Sequence, residues 1–162
     1  MPKNKISIIF FDKTNQGRSL KSLSQESKDP ALIKKLILKI LNKIVRECPI
    51  KERVVASVII VDGYTMKELN KRFRKKSKEA SALSFPLGVE SEFITPSKGL
   101  FLGDIVINIE KIVKEGKDFK KSLKENIVHA LLHLLSYNHN TEKQLERMKE
   151  EEKTLMRALG DI

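Results

Sequence analysis

Cysteine occurs once in this chain of 162 residues, at Cys48, and histidine only three times. A single cysteine excludes an intrachain disulfide framework and suits a reducing compartment. Cys48 follows a long apolar helical pattern, which reads as a core position rather than a nucleophile. Long hydrophobic runs are also missing. The longest aliphatic stretches are Val54–Val61 and Ile127–Leu135, the latter broken by histidines. Both fall well short of the roughly 20 residues a transmembrane helix needs. The opening MPKNKISIIFFDK has a short apolar run that ends at Asp12, a poor signal peptide. Together these features give the expectation of a soluble cytoplasmic protein with no membrane partner.

Acidic residues are in the minority. Lys plus Arg number 32 against 21 Asp plus Glu, a formal charge of +11. A surplus of this size attracts polyanions such as nucleic acid, ribosomes or acidic membrane surfaces. A Lys-rich genome would raise Glu alongside Lys, so polyanion binding is the better reading. Hydrophobic residues make up 40% of the chain, ordinary for a globular protein, and the length suits one domain spanning 1–162.

The pattern along the chain mixes strands and helices without strict alternation. Ile6–Phe11 reads as a first strand and residues 12–29 as a polar loop. Asp29-Pro30 reads as an N-cap followed by proline at the first helical position. Apolar residues from Leu32 to Ile44 recur at helical spacing, predicting an amphipathic helix over 30–47, with Pro49 just beyond it. Arg53–Val61 is β-branched and apolar, a buried strand. Met66–Phe73 is helical, Ser81–Leu87 extended, 88–99 a loop, and Phe101–Ile109 another strand. A short helix over Glu110–Glu115 closes at Gly116. Asp118 caps a helix running through Leu135, and Thr141 with Gln144 forms a capping box for a last helix ending at Leu159-Gly160. The expected class is α+β, with roughly four strands in one mixed sheet and about five helices packed on it.

All three histidines lie within eleven residues, His129 to His139, spaced H-x3-H-x5-H. Random placement would do this on the order of once in a hundred sequences. On a helix, His129 and His133 share one face about 6 Å apart along the axis. His139 can join them only if the helix ends near Ser136 and the chain turns back. The product is a three-nitrogen site with an open fourth position, the pattern of catalytic zinc, one ion per chain. The helix is zincin-like in its H-x3-H spacing. Zinc proteases with the same three-histidine spacing carry Glu directly after the first histidine as general base. Here that residue is Ala130, which demotes the protease reading.

The window H-A-L-L-H-L-L-S-Y-N-H resembles the signature H-G-x-L-H-L-x-G-Y-D-H of the YbeY family, bacterial metal-dependent endoribonucleases of ribosomal RNA maturation. Leu69, Asn70, Phe73 and Arg74 resemble the family's L-N-x-x-Y-R segment. Ala80-Ser81-Ala82-Leu83-Ser84-Phe85-Pro86 follows at the spacing of its T-D-V-L-S-F-P. Leu102-Gly103-Asp104-Ile105-Val106-Ile107 matches its L-G-D-I-x-I strand. The resemblance implies a four-stranded mixed sheet with helices and zinc held by His129, His133 and His139. It also implies cleavage of single-stranded ribosomal RNA near the 3′ end of the small-subunit species. Expected partners are the small ribosomal subunit and its assembly factors. The departures are Ala130, Ser136, Asn138 and the pair Ala80-Ser81; the last two sites each lose a carboxylate.

Chemically, three neutral imidazoles leave an ion's full charge on the site. Arg74 is the candidate cation for phosphoryl oxygens, its planar fork suiting two at once. Arg74 and His129 are assigned to the catalytic step. Lys67–Lys78 holds seven basic residues in twelve, a candidate RNA track in which Lys71, Arg72, Arg74, Lys75 and Lys76 contact the backbone. Phe73 is the one aromatic among them, so base stacking is not indicated. Asp104 is a candidate to orient a ligand histidine or to cap a turn. No residue stands out as general base. A non-catalytic, zinc-containing assembly factor that binds ribosomal RNA is the alternative.

Overall fold

The computed structural model describes residues 6–12, 29–47, 53–87, 100–115 and 118–162. Cys48, Pro49, Gly116, and the interiors of the loops expected over 12–29 and 88–99 lie outside the described residues. The elements run β1 (Ile6–Asp12), α1 (Pro30–Glu47), β2 (Val54–Val61), α2 (Gly63–Arg74), β3 (Ala82–Pro86), β4 (Leu100–Asn108), α3 (Ile109–Glu115), α4 (Phe119–Leu134) and α5 (Glu142–Leu159). The sheet is mixed, in the order β1-β2-β4-β3. β1 and β4 both pair with β2 in parallel, while β3 runs antiparallel to β4. The class is α+β.

Strand alternation sends side chains to two separate cores. Ala56, Val58 and Ile60 of β2 with Ile105 and Ile107 of β4 face the larger one. That side receives Ile33, Ile37, Ile40, Leu41 and Ile44 of α1 and Leu123, Ile127 and Leu131 of α4. Val61, Val106 and Leu83 face the other way and pack under Met66 of α2. The two sides of the sheet thus hold α2 and α4 in fixed relation.

Two boundaries differ from the sequence expectation through a cap; the others that differ do so by one residue. α2 starts at Gly63, not Met66, because Asp62 Oδ1 accepts the Thr65 N–H at 2.8 Å. Asp62-Gly63 has the composition of a turn, which hid the helix start. Ile109 opens α3 rather than closing β4. Asn108 is fully buried and its Oδ1 accepts the Lys111 N–H at 3.2 Å, ending the strand and capping the helix. Its amide nitrogen donates to Glu79 Oε1 at 2.8 Å.

β4 carries an irregularity. Its register against β2 shifts between Val55 and Ala56, which pair with Phe101 and Gly103, so Leu102 is the extra residue of a bulge. Gly103 has φ +132°, and a Cβ there would meet Phe85 O of β3 at 2.2 Å. The glycine lets β3 approach.

The end of α4 is a Schellman motif. The Tyr137 N–H donates to Leu132 O and the Ser136 N–H to His133 O, each at 3.0 Å. Ser136 sits at φ 70°, the left-handed residue of the motif.

Two substitutions test these devices. Ser136→Gly relieves about 1 kcal/mol of left-handed strain and should raise the melting temperature by about 2–4 °C. An unchanged or lower melting temperature would show that the serine is not strained. Asn108→Ala removes a cap and leaves Glu79 without its partner. Urea unfolding should register a loss of about 2 kcal/mol. A loss below about 0.5 kcal/mol, the size of an ordinary surface change, would refute the hub role.

Candidate metal centre

The turn at Ser136 returns the chain over the exposed face of α4. His129, His133 and His139 offer ligand nitrogens that all lie within 4.8 Å of one another. Ring centroids are 4.7 Å apart for His129–His133, 5.1 Å for His133–His139 and 6.0 Å for His129–His139. The three histidines singled out from spacing are therefore brought together.

The ring nitrogens facing away from this cluster are occupied for two of the three. His129 Nδ1 stands 2.6 Å from Glu152 Oε1 of α5. His133 Nδ1 stands 3.0 Å from Tyr137 O. A carboxylate oxygen and a backbone carbonyl both serve as acceptors, an arrangement that favours Nδ1–H in both rings and a lone pair on Nε2. Those two Nε2 atoms face each other at 3.1 Å. Two lone pairs at that distance repel unless a cation lies between them. Nitrogens bound at 2.0–2.1 Å to a tetrahedral ion stand about 3.3 Å apart. The donor set and its spacing fit a divalent metal ion with imidazole ligands.

Burial first, then the charges of His129 and His139, and lastly that of Arg74, lower the pKa of His133; the hydrogen bond to Tyr137 O opposes them in part. The ring is thereby biased to the neutral form a metal requires. Arg74, the last residue of α2, donates from Nη2 to Ser84 O of β3 at 3.0 Å. β3 thus holds the guanidinium within electrostatic reach of His133. Lys71, Arg72, Lys75 and Lys76 are exposed on the same helix and its cap, and they are not among the groups that perturb His133. Phe73, also exposed, has Arg72 5.3 Å from its ring centre and meets the edge of Phe85.

Several expected polar roles fall elsewhere. Among the described residues, Asp104 neither orients a histidine nor caps a turn; it accepts the Ser57 hydroxyl from the neighbouring strand, its register partner. The carboxylate that meets a histidine is that of Glu152, which the sequence did not single out. It lies 23 residues from His129 within a run of glutamates, and nothing local distinguishes it. Ser81 donates to Glu115 of α3 at 3.0 Å, which with Lys111 lowers the Glu115 pKa. Asn138 Nδ2 points to Ser136 O, within its own turn. Ala130 is buried in the core, so no carboxylate follows the first histidine.

His133 makes stability pH-dependent. Its folded pKa is depressed, so its contribution is present above the unfolded value of about 6.5 and is lost as pH falls through the lower folded value. In chelator, the melting temperature of the protein should decline below about pH 6.5, and His133→Leu should flatten that decline. A decline of equal slope in the variant would assign it to other groups.

Three kinds of likeness bear on the chain. The family model described as Endoribonuclease YbeY matches residues 20–160. An "Endoribonuclease YbeY" of Bartonella quintana is 39% identical over 115 residues, 67% of this chain and 72% of that one. One of Caldicellulosiruptor bescii is 36% identical over 120 residues, 68% and 76% of the two chains. One of Mycoplasmopsis pulmonis is 32% identical over 143 residues, 86% and 95%. The solution structure of a Thermotoga maritima protein, 24% identical, superposes with a TM-score of 0.58 over 94% of this chain and 89% of that one, which speaks to the fold. With its histidine triad and fold already in place, the chain belongs to the endoribonuclease YbeY family.

Proposed function

We propose that this chain, as one domain over 1–162, is a zinc-dependent endoribonuclease that cuts single-stranded ribosomal RNA. The observation that carries the reading is the convergence of three histidine nitrogens within 4.8 Å with Arg74 in electrostatic reach of His133. Family membership supports the endoribonuclease class. The formal charge of +11 supports an RNA substrate. The substrate proposed is the small-subunit ribosomal RNA near its 3′ end, with the small subunit and its assembly factors as partners. The proposed compartment is the cytoplasm, which the single cysteine suits. No described helix is long and apolar enough to cross a membrane.

His129, His133 and His139 would hold one zinc ion. When bound, zinc supplies Lewis acidity to a phosphoryl oxygen and lowers the pKa of a water it holds. Arg74 spends one of its five N–H donors on Ser84 O, and the others remain to take phosphoryl oxygens. A guanidinium anchored in this way needs little reorganisation as negative charge builds up at phosphorus. The exposed cations Lys71, Arg72, Lys75 and Lys76 extend from Arg74 as a track for the RNA backbone, binding by counterion release.

The second reading is a non-catalytic ribosomal RNA-binding assembly factor that keeps zinc for stability. Asn138 favours it: an uncharged amide bonded within its own turn gives the site no general base.

Cleavage of a labelled single-stranded RNA carrying the small-subunit 3′ end separates the two. Zinc-loaded protein should cut, while chelated protein and His133→Ala should not. Arg74→Ala should lower kcat/KM by about 100-fold, and Arg74→Lys by less. RNA binding and one zinc per chain without cutting would establish the assembly-factor reading. Equal cutting in all samples would expose a contaminant.

A further inference from the structure

Glu152 stands behind His129 and outside the group of three histidines that would hold an ion. Its placement is built from both ends of α5. At the N-terminus, Thr141 Oγ1 accepts the Gln144 N–H and Gln144 Oε1 accepts the Thr141 N–H, each at 3.2 Å. At the C-terminus, the buried Lys124 of α4 donates from Nζ to Gly160 O at 2.7 Å, bonding the two helices directly. Met148, Leu155 and Leu159 are buried against the core on the intervening turns. The capping box fixes where α5 begins, and its buried face and the Lys124 bond seat it on α4, so the carboxylate of Glu152 is delivered to one ring nitrogen and held there.

We propose that Glu152 is the positioning residue of the metal centre: its carboxylate fixes the His129 ring in the Nδ1–H tautomer and turns Nε2 toward the ion. The 2.6 Å separation is that of a charge-assisted hydrogen bond. The Glu152 side chain is 29% exposed and that of His129 50%, so the pair is only partly screened by water. Tyr137 O does the same for His133, with a neutral acceptor. His129 is thus the ligand with an anion behind it. An anion on Nδ1–H makes Nε2 a stronger donor. This rests on the metal-centre reading and not on the nuclease reading.

The test uses the full chain, with zinc alone as probe. Chelator competition should find zinc held about 10–100-fold more weakly by Glu152→Ala than by the parent. Glu152→Gln should fall between them, because the amide oxygen still accepts from Nδ1–H while the charge is lost. Glu150→Ala, one turn-position away with its side chain exposed, should bind zinc as the parent does. Nitrogen-15 spectra of the metal-free protein should find His129 as the Nδ1–H tautomer in the parent and as a mixture in Glu152→Ala. A purely structural role would lower the melting temperature without moving either readout. Unchanged zinc affinity in a folded Glu152→Ala, or an unchanged His129 tautomer, overturns the proposal. If Glu152→Ala does not fold, Glu152→Gln with parental affinity and tautomer overturns it. RNA cleavage does not enter these readouts, so a protein that cuts nothing leaves the Glu152 result standing on its own.

Discussion

The site depends on a single facing pair: two Nε2 atoms at 3.1 Å, one helical turn apart, each with its other ring nitrogen bonded to an acceptor. Without the acceptors, either ring could rotate or change tautomer. With them, both lone pairs are committed to the same small volume. The third nitrogen arrives through the Schellman turn, where Ser136 adopts φ 70° and Tyr137 bonds back to Leu132. That turn performs two tasks. It reverses the chain so that His139 reaches its partners, and it aims Tyr137 O at His133 Nδ1. A single backbone motif therefore supplies one ligand and orients another.

The sheet sets what can surround this pair. Gly103 allows β3 to lie against the bulged part of β4, and Ser84 on β3 then accepts from Arg74 at the end of α2. α2 and α4 pack against opposite cores, yet the edge strand β3 lets Arg74 act on His133 across the sheet margin. The basic run of α2 is consequently anchored at one end, by its last helical residue, next to the histidines. The remaining cations extend away into solvent.

How much of this could be read from the chain depended on sequence distance. The i, i+4 histidines, the Asp118 cap, the Thr141–Gln144 box and the left-handed Ser136 are local, and local spacing specifies local geometry. The helices followed from periodicity for the same reason. The start of α2 was missed because Asp62-Gly63 serves equally well as a turn or a cap, and only packing of Met66 under the sheet decides between them. Asp104 was misassigned because its partner, Ser57, is set by strand register, and a bulge had shifted that register. Glu152 was invisible for a third reason. Five glutamates of α5 look alike in sequence, and the crossing of α5 over α4 alone selects one of them.

That selection changes how the lost carboxylates weigh on the chemistry. Position 81 belongs to the α3 side of the sheet, where Ser81 meets Glu115, so its neutrality takes nothing from the histidines. Position 138 lies in the turn and bonds within it. The negative charge at the centre instead comes through His129, from behind the ligand rather than beside the open coordination position. A carboxylate beside that position could take a proton from an attacking group. One behind a ligand acts on the ligand itself and strengthens it as a donor. A stronger donor holds the ion more tightly and, by the same donation, leaves slightly less positive charge for a phosphoryl oxygen. Under the proposed function, this arrangement would favour retention of the metal, and offsetting charge at phosphorus would fall to Arg74.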